Sequence, residues 1–131
     1  MKRVLLPFVF ALFATFASAQ WNGTTVTQPA QSGGVYQITS AANLAWVAQQ
    51  SQSNSFAGAK FALTQDIDLS HKQWTPIGNA SYPFQGQFDG GCHVINDFYY
   101  FSEAKADNVG LFGVIGNNGR VANVAMGINA T

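Results

Sequence analysis

One cysteine, Cys92, stands in a chain of 131 residues, which excludes an internal disulfide and leaves stability to a packed core. Charge is scarce as well: Asp, Glu, Lys and Arg make up 9% of the residues and balance to zero. Nucleic acid is therefore not an expected partner, because no basic patch is available to meet a phosphate backbone. Histidine occurs as His71 and His93 alone, and neither is followed by the Glu of a His-Glu-x-x-His zinc helix. Gly-x-Ser-x-Gly elbows, Gly-rich phosphate loops and Cys-x-x-Cys pairs are missing too. No uninterrupted apolar run reaches the roughly 20 residues that a membrane helix needs. These absences predict a protein that is not an enzyme, with no catalytic residue, no cofactor, no bound metal and no membrane span.

What is present begins with an export pattern. Lys2 and Arg3 precede an apolar run from Val4 to Phe16, followed by Ala17-Ser18-Ala19, so residues 1–19 read as a signal peptide cleaved before Gln20. Removing 19 of the 131 residues leaves 112, with four basic residues against six acidic ones. The expected location is secreted, periplasmic or on the cell surface. Cys92 lies at the start of an apolar run, where a small buried thiol is the plain expectation and intermolecular pairing the sharper one.

The hydrophobic share is 47%, with 11 Phe and 13 Gly, and helix-favouring Leu and Glu are scarce. That balance favours an all-β chain rich in turns. Residues 20–34 are Thr-, Gln-, Ser- and Gly-rich and read as a flexible lead-in. Val35-Tyr36-Gln37-Ile38 makes a short strand, and Thr39-Ser40 offers hydroxyl caps to a helix over about 41–50. Along that helix Ala41, Leu44, Val47 and Ala48 share one face. From Phe61 to Leu69 the apolar residues Phe61, Leu63, Ile67 and Leu69 keep a period of two, as one half-buried strand would. Phe84 and Phe88 share a second such face, and Asp89-Gly90-Gly91 is placed to turn the chain.

Self-similarity adds an architectural expectation. Val121-Ala122-Asn123-Val124 superposes on Ile95-Asn96-Asp97-Phe98 at an offset of 26, and Ile67 precedes Ile95 by 28. Offsets of that size predict successive coils of a solenoid, with the helix capping its first end. A β-sandwich is the rival, because its strands also recur between turn residues.

Several phrases in order then carry a resemblance: Leu44-Ala45-Trp46-Val47-Ala48, Phe61 to Leu69, Trp74-Thr75-Pro76-Ile77-Gly78, Phe84 to Gly90, and Val109-Gly110-Leu111-Phe112-Gly113. Over about residues 35–129 the chain resembles GLUG-motif proteins, which are exported bacterial surface proteins. The resemblance implies right-handed β-helix or β-solenoid coils over 35–131 with one N-terminal capping helix. It also implies a non-catalytic structural or adhesive surface module. The alternatives are a carbohydrate-binding or carbohydrate-active β-helix protein, or the N-terminal fragment of a larger surface protein or peptidase. Members of the family often carry many repeats, whereas this sequence holds a single GLUG copy.

Candidate side chains are few. Asp66 and Asp68 fall on one strand face, as a calcium site or a sugar-cleaving carboxylate pair would require, but Asp bonded to turn amides is the plainer expectation. Asp89 and Asp97 sit beside turns. In Phe98-Tyr99-Tyr100-Phe101 alternation sends Tyr99 and Phe101 outward, where Trp74 or Tyr82 would complete a stacking surface for a glycan. Val121, Val124, Met126 and Ile128 form an apolar last stretch with no cap after it, which predicts self-association or further repeats at that edge.

Overall fold

A computed structural model describes residues 20–127. Residues 1–19, which carry the signal-peptide pattern, and Ile128 lie outside them. The described residues hold strands β1 (Gln31–Ser32), β2 (Val35–Ile38), β3 (Lys60–Leu63), β4 (Ile67–Asp68), β5 (Gln87–Asn96) and β6 (Arg120–Gly127), with one helix, α1 (Ala41–Gln50). The chain is thus mostly strand, and its strands join in one mixed, open sheet.

β1 and β2 pair antiparallel about Gly33-Gly34, both at positive φ, as a two-residue turn between twisted strands requires. Every later pairing is parallel. Val35 pairs with Lys60, Lys60 with Gln87 and Gln87 with Arg120, in steps of 25, 27 and 33 residues. One rung on, Tyr36, Phe61, Phe88 and Val121 form an inward row. The Tyr36 and Phe61 rings stack at 5.1 Å and 15°, and Phe61 and Phe88 follow at 6.4 Å and 29°. A second row joins Ile67, Ile95 and Met126. Isolated parallel bridges link Gln73 to Tyr99, Ile77 to Phe112 and Phe84 to Ile115. Between these rows Leu44, Val47, Leu69, Trp74 and Phe84 are buried, and they make one core.

α1 forms where the hydroxyl cap and the apolar spacing place it. The Asn43 N–H donates to Ser40 Oγ at 3.1 Å, so Ser40 is the N-cap. The expected face of Ala41, Leu44, Val47 and Ala48 is buried. Trp46 packs its ring 5.5 Å from Tyr36 and 5.9 Å from Phe56.

Five expectations are corrected. The run from Phe61 to Leu69 is two strands, because the chain breaks at 64–66 between β3 and β4 while the apolar residues stay buried on both sides. Residues 20–34 are tied down: the Thr27 N–H donates to the Ala42 carbonyl at 3.1 Å, Asn43 Nδ2 donates to the Thr27 carbonyl at 2.9 Å, and Pro29 is buried. The register of the last repeat also differs, since Val121 pairs with Phe88 and Ile95 pairs with Met126. The offset of 26 had matched similar corners, whereas the strand register follows the inward apolar row. Asp89-Gly90-Gly91, finally, does not end a strand. β5 runs on through an irregularity between Asp89 and His93, where Gly91 and Cys92 both take positive φ. That bulge turns Cys92 outward, so the thiol is exposed.

Candidate functional site

Two of the concave surfaces among the described residues carry charged side chains. The first lies on the outer face of the parallel strands, where alternation turns Lys60, Gln87 and Arg120 away from the inward row. They stack rung on rung, cation, amide and cation, with Ala62, Asp89 and Ala122 two residues further along. A shallow groove of about 400 Å³ runs over them. The Gly91 N–H donates to Asp89 Oδ1 at 2.8 Å, and Asn123 Nδ2 donates to the same oxygen at 3.1 Å. These two bonds, the backbone one foremost, hold the Asp89 carboxyl below the ordinary carboxylate range. The groove therefore offers two cations, one fixed carboxylate and the Gln87 amide on a rigid sheet, a set that matches hydroxyl-rich or mixed-charge ligands.

The second surface is a cleft of about 270 Å³ between the N-terminal end of α1 and the start of β4, lined by Trp21, Thr39, Ser40, Gln65, Asp66 and Asp68. Trp21 is pinned by its own backbone, whose N–H donates to Ser70 Oγ at 3.1 Å, and by edge contact with Trp74 at 6.0 Å. Asp66 and Asp68 do share this cleft, but each carboxylate is already used by the backbone. The Val94 N–H donates to Asp66 Oδ1 at 2.9 Å, and the Ser70 N–H donates to Asp68 Oδ1 at 2.8 Å. His93 Nδ1 also lies 3.5 Å from Asp66 Oδ1. Among the described residues no three His, Cys, Asp or Glu side chains converge in a way that could hold a metal ion. This arrangement suits a carboxylate that accepts hydroxyls beside an indole face.

The expected aromatic surface is not assembled. Trp74 is 2% exposed, and its Nε1 donates to the Leu111 carbonyl at 3.1 Å. A buried indole needs such a partner, and Trp74 is a core residue. Tyr99 lies against His71, ring to ring at 4.4 Å, with Asp97 3.7 Å from the same imidazole. Phe101 is exposed as expected, and its backbone exchanges two hydrogen bonds with the Gln73 side chain. Tyr82 is exposed on a separate turn, where Asn79 Oδ1 accepts from the Ser81 and Tyr82 N–H groups. Sequence reasoning overlooked Trp21 and the stack of Lys60, Gln87 and Arg120. The stack had a signal, because each of the three stands one residue before an inward apolar residue.

No family model matches the chain. No solved structure matches it either. A protein of Evansella cellulosilytica, provisionally named a Gly-rich membrane protein, is 37% identical over 75 residues, which are 53% of this chain and 9% of that protein. The chain thus spans less than a tenth of the length of this relative. Among the described residues no helix is long and apolar enough to cross a membrane.

Proposed function

We propose that the chain is a non-catalytic, exported structural or adhesive module, built as a right-handed β-solenoid of the GLUG-motif type. The observation that carries this reading is the repeated parallel return of the chain onto itself, from Tyr36 to Phe61, Phe88 and Val121. Chains that return in register stack their coils, fill the interior with like residues and leave one straight outer face for contact. Here that face carries Lys60, Gln87, Asp89 and Arg120, and α1 with the β1 hairpin closes the first end. Export rests on Lys2, Arg3 and Ala17-Ser18-Ala19, and the word "membrane" in the relative's name lends it support.

Two measurements test the reading. The exported protein should begin at Gln20 by mass spectrometry, and cells displaying it should adhere to glycan- or protein-coated surfaces. Lys60→Ala with Arg120→Ala should reduce adhesion several-fold while the circular dichroism spectrum stays unchanged. A cytoplasmic protein with an intact Met1, or adhesion indifferent to both substitutions, would overturn it.

Carbohydrate binding is a second reading, favoured by Trp21 beside Asp66 and Asp68 in one cleft. Oligosaccharides should then change tryptophan fluorescence, and Trp21→Ala should abolish that response. Titrations that stay flat across plant, bacterial and animal glycans would remove this reading and leave the first intact.

A further inference from the structure

The rows of the sheet do not end as they begin. Phe61 and Phe88 are 1% and 2% exposed, and Ile67 and Ile95 are 2% and 0%, yet Met126, in register with those isoleucines, is 50% exposed. Ile115 is 46% exposed, although it bridges to the fully buried Phe84. Among the described residues, the last rung of each row is an inward residue without its cover. β6 pairs with β5 on one edge and with no strand among the described residues on the other.

We infer that this edge pairs with the same edge of a second copy, antiparallel, about a two-fold axis through the corner at Asn123 and Val124. The register follows from β6 itself. Symmetry about that point sets Val121 opposite the partner's Met126, Ala122 opposite the partner's Ala125, and Arg120 opposite the partner's Gly127. Inward apolar residues thereby meet each other, and small residues meet small ones. The two Arg120 side chains, the only charges on β6, fall at opposite ends.

Backbone polarity agrees with that register. The Arg120 N–H donates to the Gly86 carbonyl at 2.9 Å, and the Asp97 N–H donates to the Gly127 carbonyl at 3.3 Å. Successive residues of a strand point their backbone groups to alternate edges. With Arg120 and Gly127 turned toward β5, Val121 and Met126 turn their N–H and C=O groups to the free edge. Those are the residues that the two-fold axis sets opposite each other, so each pair exchanges two hydrogen bonds.

The other end of the sheet explains why the assembly stops at two. β2 is covered by β1, a strand of two exposed residues, and a strand so short offers almost no edge for pairing. A head-to-tail contact would grow into a filament, whereas a self-complementary edge closes as a dimer. β6 alone carries this inference, whether or not the outer groove binds a ligand.

Light scattering of the purified full chain over a hundredfold concentration range should show a dimer that dissociates on dilution. Met126→Pro removes an N–H that faces the free edge and no bond to β5, so it should weaken the dimer at least tenfold and leave the monomer's circular dichroism intact. Met126→Lys should do the same if the proline variant fails to fold. The register is tested with Cys92→Ser as background: Ala122→Cys combined with Ala125→Cys should crosslink two chains under mild oxidation, and neither cysteine alone should. A chain that stays monomeric at every concentration, or a dimer untouched by both Met126 substitutions, would overturn the proposal.

Discussion

Ser51 is the residue on which the most disparate parts of the chain converge. It is fully buried at the C-terminal end of α1, and its hydroxyl donates to the Ala48 carbonyl at 2.7 Å while accepting from the Gly78 N–H at 3.0 Å. Gly78 has little freedom to move in response, since a Cβ there would meet the Val114 carbonyl and the Phe84 backbone. Ser51→Ala therefore strands a buried N–H, which costs about 1–3 kcal/mol. Chemical denaturation should show that loss, and Ser51→Thr should restore part of it. Asp89 makes a different kind of contribution, because its bonds to Gly91 and Asn123 hold its carboxyl below the ordinary range. A group whose folded pKa is depressed stabilises above its unfolded value, and the contribution disappears as pH falls through the lowered one. Acidification below about pH 4 should thus weaken the fold through this residue. Asp89→Asn should flatten that part of the pH profile, and identical acid slopes for the two proteins would refute the role.

At the scale of elements, local signals were legible and long-range ones less so. α1 was readable because its cap, Ser40, and its buried face all lie within a dozen residues, where helix formation is decided. The break between β3 and β4 was not, since Phe61, Leu63, Ile67 and Leu69 keep an even spacing across the turn and the inward pattern passes through it unchanged. Cys92 misled for a related reason: its apolar neighbours suggest burial, but the bulge at Gly91 and Cys92 reverses the side chain locally. Residues 20–34 looked loose because their composition is polar, yet their anchor lies outside the segment. Asn43, 5% exposed, accepts from the Thr39 N–H and Oγ at 3.0 Å each and donates to the Thr27 carbonyl. Asn43→Ala should release the lead-in and cost about 1–3 kcal/mol through its orphaned partners. Limited proteolysis should then cut within 20–34 roughly ten times faster, with α1 itself intact, because a local opening of about 1.4 kcal/mol is tenfold in population. The outer stack of Lys60, Gln87 and Arg120 became visible only with the register, because its members are separated by 27 and 33 residues.

At the scale of the whole molecule, cohesion is graded from one end to the other. Rows packed on both sides, such as Phe61 between Tyr36 and Phe88, bury nearly all of the Phe61 surface, whereas among the described residues Val121 and Met126 have a neighbour on one side only. Burial of apolar area is the main stabilising term, at about 25 cal/mol per Å², so the strand with the least of it opens first. Each parallel pair also closes a loop of 25 to 33 residues. Unlike a helix, β6 therefore has no local contacts to hold it once it leaves β5. Native-state hydrogen exchange should accordingly rank β3 and the first half of β5 as slowest and β6 as fastest among the strands. The ranking should also depend on concentration. In dilute solution the Arg120 N–H, bonded to Gly86, should exchange by local opening at least tenfold faster than the β3 amides. Under dimer-forming conditions the Val121 and Met126 N–H groups should gain protection they lack in the monomer, because the partner's carbonyls then accept from them. Uniform protection across all strands, unchanged by dilution, would mean that the sheet unfolds as a single unit with no weak end.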